Sequence, residues 1–149
     1  KMPKVHFIWL GVGDNIFSAE LKAEKEHWDE GKQVHLVPQK LDSKPYFEAM
    51  DMFFLSSRED PFPLVMLEAA FHEKPLVGFK DSGGISDFLQ DFPDMLVGYL
   101  EEEEARDYIL KWLETDLDAQ AEMSLELKNR SLEYSAERFL ERWHNMGLK

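Results

Sequence analysis

The sequence predicts an α/β protein built on a parallel sheet with helices on both faces. Three observations carry that prediction. Short apolar runs alternate with helical segments five times along 149 residues, the pattern of strand–helix–strand units. The first run, Val5 to Leu10, is solidly apolar, as a strand covered on both faces is. Glycine-bearing turns, at Gly11 and Gly13 and at Ser82-Gly83-Gly84, stand where strands give way to helices.

The elements follow in order. Val5 to Leu10 is a buried strand ending at Gly11, and Asn15 to Glu30 is a charged surface helix with Gly31 as its C-cap. Gln33 to Val37 is a second strand, halted by Pro38. Lys44 to Met50 is a short helix, and Asp51 to Leu55 a third strand. Pro63 to Glu73 is a helix with apolar positions Leu64, Leu67 and Phe71. Pro75 to Phe79 is a fourth strand, after which Ser82-Gly83-Gly84 turns into a short helix through Leu89. Met95 to Tyr99 is a fifth, weaker strand. Glu101 to Glu114 is a helix whose acids crowd the first turn, where the macrodipole favours them. From Asp118 the chain is helical, broken around Tyr134-Ser135, with Phe139, Trp143 and Met146 on one apolar face.

The bulk composition excludes several functions. Hydrophobic residues are 44% of the chain, enough for a core and against disorder. The net charge of −13 repels the phosphates of nucleic acid and of anionic lipid as bulk partners. With no cysteine there is neither a disulfide framework nor a thiolate metal site. The apolar runs are too short to span a bilayer, and no signal peptide is visible; a cytoplasmic location is expected. Glu101 to Glu104 reads as a solvated helix start rather than a metal site. His6 and His35 read as packed or edge strand histidines, and His72 as a helix-end contact. Asp87 is taken as structural.

In an open α/β sheet, ligands bind at the carboxyl ends of the strands. Three strand-to-helix junctions lie there. Gly11-Val12-Gly13 is a fragment of a dinucleotide fingerprint, but position 16 is Ile where the third glycine belongs. The middle junction, Ser56 to Pro63, packs polar, charged and rigid residues between a very apolar strand and a helix. The N–H groups of Leu64, Val65 and Met66 at that helix start suit an anionic phosphate. Glu68, one turn on, repels a phosphate and is better suited to accept hydrogen bonds from hydroxyls such as those of a ribose. Alternatively, Asp60 merely caps the helix and Glu68 is a surface residue. Arg58 either pairs with a neighbouring acid such as Glu59 or reaches a phosphate. The third junction is Asp81 to Gly84.

The stretch Phe54 to Ala69, with Ser56-Ser57-Arg58-Glu59-Asp60-Pro61-Phe62-Pro63-Leu64-Val65 and Glu68 at its heart, closely resembles the donor-site signature of the group 1 glycosyltransferases. These are retaining, two-domain enzymes of the GT-B fold. Two acids separated by seven residues mark the signature. The second acid falls on Glu68 and the first on Asp60 by spacing, with Glu59 displaced by one. Phe7 to Asp14, Val34 to Val37, Pro45 to Phe53, Lys74 to Gly78 and Gly83-Gly84-Ile85 resemble the family in the same order, so the likeness covers about residues 5 to 100.

The resemblance implies a Rossmann-like C-terminal half of a GT-B fold. Residues 1–149 would form a single nucleotide-sugar-binding domain, with an alternating core over 1–115 and terminal helices over 116–149. The acceptor-binding N-terminal domain would lie outside this chain and would be its partner. It further implies retaining transfer from a nucleotide-diphosphate sugar, without metal or cofactor. Asp60 or Glu59 would face the donor sugar as catalytic acids. Glu68 would accept from the ribose hydroxyls. Phe62, Pro63, Leu64 and Val65 would hold sugar and distal phosphate, with Arg58 as a further phosphate ligand, and Val37 and Pro38 would border the base. Any membrane association would come peripherally, through the N-terminal half. The family's Arg and Lys after the first donor-domain strand are missing, so this fragment alone is expected to be inactive. Two other readings compete. One is a degenerate module that binds a nucleotide or a protein without turnover, motivated by Asp60 in place of Glu. The other is a flavodoxin-like receiver, disfavoured because Ser56-Ser57 stand where its phospho-acceptor Asp would be.

Overall fold

The computed structural model describes residues 5–28 and 32–147. The chain forms two compact units, Lys1–Ser43 and Lys44–Lys149.

The first unit is β1 (Phe7–Val12), α1 (Ile16–Trp28) and β2 (Val34–Pro38). The two strands pair in parallel, and their register slips between Leu10 and Val12. Gly11 sits at that slip with φ of 101°, a conformation that glycine adopts without a Cβ penalty. Asn15 starts α1, its Oδ1 accepting from the Ser18 N–H at 2.9 Å. The expectation of a buried first strand is corrected: Phe7, Ile8 and Trp9 are about half exposed, at 47%, 55% and 50%. A two-stranded ladder has too few neighbours to cover both faces, and only Val12 and Ser18 are buried among this unit's described residues. Pro38 does not stop short of the strand but ends it, paired with Val12; at a strand end its missing N–H costs little. His6 and His35 stack across the pair, Nδ1 to Nε2 at 2.9 Å. The expected Gly31 cap lies outside the described residues.

The second unit runs α2 (Lys44–Ala49), β3 (Phe53–Leu55), α3 (Leu64–Phe71), β4 (Leu76–Phe79), α4 (Gly84–Phe88), a 3-10 turn (Pro93–Met95), β5 (Leu96–Val97), α5 (Glu102–Glu114), α6 (Leu117–Leu132) and α7 (Ala136–Asn145). Its three strands pair in parallel in the order β3-β4-β5. The described strands form two parallel ladders, one within each unit.

The central strand β4 is buried throughout, and its alternating side chains divide the core. Leu76 joins Met66, Ala69, Ala70, Ile85, Phe88, Leu89 and Leu127, brought by α3, α4 and α6. Val77 and Phe79 join Val97 and Ala105 on the other side, under α5. Helices therefore cover both faces, as α/β patterning requires. The buried stripe of α3 is Met66, Ala69 and Ala70; Leu64 and Phe71 point outward, at 67% and 51% exposure. Both sets satisfy helical spacing, so periodicity alone could not choose between them.

The helix ends follow local chemistry. Asp116 starts α6, its Oδ1 accepting from the Ala119 N–H at 3.0 Å. Ser135 starts α7 by accepting from the Arg138 N–H at 3.3 Å, which explains the break at Tyr134-Ser135. Glu104 reaches back to the Gly98 N–H at 2.7 Å, so one acid of the Glu101–Glu104 run completes a turn. On α7 no residue is buried, and Phe139, Leu140 and Trp143 are exposed. No described helix is long and apolar enough to cross a membrane.

Candidate functional site

The second unit gathers its unusual chemistry at the carboxyl ends of β3 and β4. From β3 the chain runs through Ser56 to Pro63 into α3, and from β4 it runs through Lys80 to Gly83 into α4. These two loops are joined by backbone. The Asp60 N–H donates to the Ser82 carbonyl at 2.9 Å, and the Gly84 N–H donates to the Asp60 carbonyl at 3.1 Å. Asp60 and Gly83 form a parallel bridge, one more rung beside the ladder.

The approach is close enough to require glycine. Gly83 has φ of 120°, and a Cβ there would lie 1.9 Å from the Asp60 oxygen. A Cβ on Gly84 would lie 2.6 Å from the Pro61 oxygen and 2.8 Å from Cδ2 of Phe62. Ser82 is buried, and its hydroxyl donates to the Phe79 carbonyl at 2.8 Å. Asp81, at φ of 61°, donates its N–H to the Ser86 hydroxyl at 3.1 Å. The Gly-Gly turn is therefore the rigid seat on which the signature loop rests.

Asp60 is not the cap of α3. One of its carboxylate oxygens accepts from the Phe62 N–H at 3.2 Å, which closes the loop on itself. The residue at the cap position is Pro63, and no side chain caps this helix. The Met66 N–H donates to the Pro63 carbonyl at 3.1 Å, so the expectation that it is free is corrected. Leu64 and Val65, in the first turn, keep N–H groups with no acceptor inside the helix. Pro63 itself is buried and contributes no donor.

Arg58, Glu59 and Glu68 are exposed, and none of their side chains has a hydrogen-bond or ion-pair partner among the described residues. The alternative pairing of Arg58 with Glu59 is not made. The same shelf thus carries two backbone donors, one guanidinium and three carboxylates, of which only that of Asp60 is engaged. Such a surface can hold a phosphate at the helix start and hydroxyls at Glu68. Val37 and Pro38 end β2 in the first unit, Val37 half-buried and Pro38 exposed. Among the described residues no group of three or more His, Asp or Glu is placed to hold a metal ion. Two shallow hollows lie elsewhere, one along α7 at Leu140 and His144, the other at Met50, Pro75 and Trp112. Neither is lined by residues of the signature loop.

Tyr134 belongs to this neighbourhood and carries no sequence signal. Its ring lies 5.3 Å from Phe62 and 5.7 Å from Phe88, between centroids. Nothing local marks a tyrosine just past a helix end; only the fold brings it to the loop.

Residues 1–115 match the family described as Glycosyl transferases group 1. A curated protein of Haemophilus influenzae, described as an "Uncharacterized glycosyltransferase", is 25% identical over 136 residues, which are 89% of this chain and 37% of that protein. The crystal structure of TarM superposes on 97% of this chain with a TM-score of 0.81 at 24% identity, using 29% of its own length. That of HepE from Anabaena, in complex with UDP-glucose, covers 87% of this chain and 36% of its own, with a TM-score of 0.73 at 22% identity. These structures share the fold, and the chain spans about a third of the length of each of these three proteins.

Proposed function

Because the chain belongs to the group 1 glycosyl transferases, we propose that it is the donor-binding half of such an enzyme. It holds a nucleotide-diphosphate sugar while the glycosyl group passes, with retention at the anomeric carbon, to an acceptor held by a separate N-terminal half. The observation that carries this reading is the signature loop seated on Gly83-Gly84 beside an uncapped helix start. A phosphate takes the Leu64 and Val65 N–H groups, where the helix dipole favours negative charge. Glu68, exposed and unpartnered, accepts from ribose hydroxyls. Arg58 offers the nearest charge of opposite sign in the loop sequence. The free oxygen of Asp60, or the carboxylate of Glu59, faces the sugar. A bound UDP-glucose in HepE supports a donor of this class. No metal or cofactor is invoked.

Calorimetry of the 149-residue chain with UDP tests the site. Binding is expected, and Glu68→Ala is expected to weaken it by about 10- to 150-fold, the loss of charged hydrogen bonds contributing roughly 1.5–3 kcal/mol. An unchanged affinity in Glu68→Ala would remove Glu68 from the site. The isolated chain is expected to transfer no sugar, since on this reading the acceptor is held and oriented by the N-terminal half. Turnover by this chain alone would overturn that part. A second reading, a nucleotide-binding module without turnover, is favoured by one observation: Asp60, the shorter acid, already spends an oxygen on the Phe62 N–H. Transfer by the chain joined to an acceptor half would exclude it.

A further inference from the structure

Phe62 has two close neighbours. Gly84 lies so close beneath it that a Cβ there would meet its ring at 2.8 Å. The Tyr134 ring also meets it, tilted at 35° with centroids 5.3 Å apart. That same ring meets Phe88 at 5.7 Å, and Phe88 is fully buried in the core. Tyr134 itself is anchored from below. One turn earlier on α6, Arg130 donates to the Asp91 carboxylate at 3.0 Å and to the Asp87 carbonyl at 3.3 Å. Asp87 lies within α4, so α6 grips both α4 and the segment that follows it. The Tyr134 N–H closes the end of α6 onto the Ser131 carbonyl at 3.0 Å. The loop, the Gly-Gly turn and the end of α6 thus meet at one aromatic contact. Asp60 is linked to that contact through the Phe62 N–H.

We propose that Tyr134 is a positioning residue for the donor loop: its ring, in contact with both Phe62 and Phe88, sets the angle at which Asp60 to Phe62 faces the donor. This rests on the donor-site reading above. Through it, the C-terminal end of α6 controls how well the loop is preorganised. The loop's competent population, not a new contact with ligand, is what Tyr134 supplies, and apparent affinity scales with that population. The ring, not the hydroxyl, carries the effect, because both contacts are between rings, tilted at 35° and 55°.

The test compares Tyr134→Leu and Tyr134→Phe in the 149-residue chain. Amide hydrogen exchange reads the loop, and calorimetry with UDP reads the site. In Tyr134→Leu, exchange at the Asp60 and Gly84 amides is expected to rise about tenfold, from two lost ring contacts. UDP affinity is expected to fall several-fold, while the amides of the β3–β4 ladder keep their protection. Tyr134→Phe is expected to restore both readouts. Unchanged exchange at Asp60 and Gly84 in Tyr134→Leu overturns the proposal, as does a Tyr134→Phe variant that behaves like Tyr134→Leu. Faster loop exchange with unaltered UDP affinity also overturns it, since the loop would then be looser without consequence for the donor. A parent chain that binds no UDP refutes the donor-site reading instead; the exchange comparison still decides whether Tyr134 orders the loop.

Discussion

Replacing Gly83 by alanine isolates the contact that makes the site. Its φ of 120° is one that L side chains rarely adopt, and the new methyl would start 1.9 Å from the Asp60 oxygen. Strain of that kind costs about 1–3 kcal/mol. The methyl cannot be accommodated by a side-chain rotation, because its neighbour is backbone. The signature loop must therefore lift, and the Asp60–Ser82 and Gly84–Asp60 hydrogen bonds go with it. At about 0.5–1.5 kcal/mol net for each bond, they add roughly 1–3 kcal/mol. The sum is about 2–6 kcal/mol, which lowers the melting midpoint of a chain this size by on the order of 10 °C. Urea unfolding followed by circular dichroism measures the first number and a thermal scan the second. Gly11→Ala is the control: φ is 101°, but the added methyl meets nothing within 4 Å. It should show the conformational penalty without the clash. Gly83→Ala within about 0.5 kcal/mol of the parent, the range of an ordinary surface change, would refute the claim that the loop is seated on this turn.

Three further outcomes are expected. Met66 is fully buried beneath the signature helix, so Met66→Ala should cost about 2–5 kcal/mol in urea unfolding through its cavity. Burial, and then the nearby Asp94 charge, push the Tyr108 phenol up to about 12. Both states are protonated below pH 10, but above it the unfolded chain ionises first, so stability should fall between about pH 10 and 12. Tyr108→Phe should flatten that fall in pH-dependent unfolding. The Lys128 ammonium, by its hydrogen bond and then its charge, holds Glu73 below the usual carboxylate range. A depressed carboxyl stabilises above its unfolded value and loses that contribution as pH falls through its folded one. Lys128→Met, which also removes the cation over the Phe71 ring, should therefore make the unfolding midpoint less sensitive to acid as pH falls through and below the ordinary carboxylate range.

Much of the second unit was legible because its signals are local. Ser135 marked the start of α7, Gly83-Gly84 marked the turn after β4, and the apolar run before Ser56 marked β3, all within a residue or two of the observed ends. The face of α3 was not legible, since the 64/67/71 and 66/69/70 stripes fit one helix equally well and only the packing against Leu127 and Phe88 decides. Nor were the bonds from Asp60 to Ser82 and Gly84, which join loops more than twenty residues apart. A first strand rich in Phe, Ile and Trp reads as buried, yet burial depends on how many strands flank it. The roles proposed for the site residues come only from resemblance. Spacing alone left Asp60 as a helix cap, a role the structure gives to no side chain.

That empty cap at Pro63 has a thermodynamic corollary. A serine or aspartate there would supply typically about 1 kcal/mol whether or not anything is bound. Here, on the donor-site reading, the completing acceptor arrives with the ligand, so part of the fold's stability is held by a molecule that comes and goes. Ligand at one hundred times its dissociation constant adds about 2.7 kcal/mol to the folded state. Survival against unfolding, and against the proteases that harvest unfolded chains, would then follow the supply of nucleotide sugar, and the protein's abundance would rise and fall with its substrate before any regulator intervened.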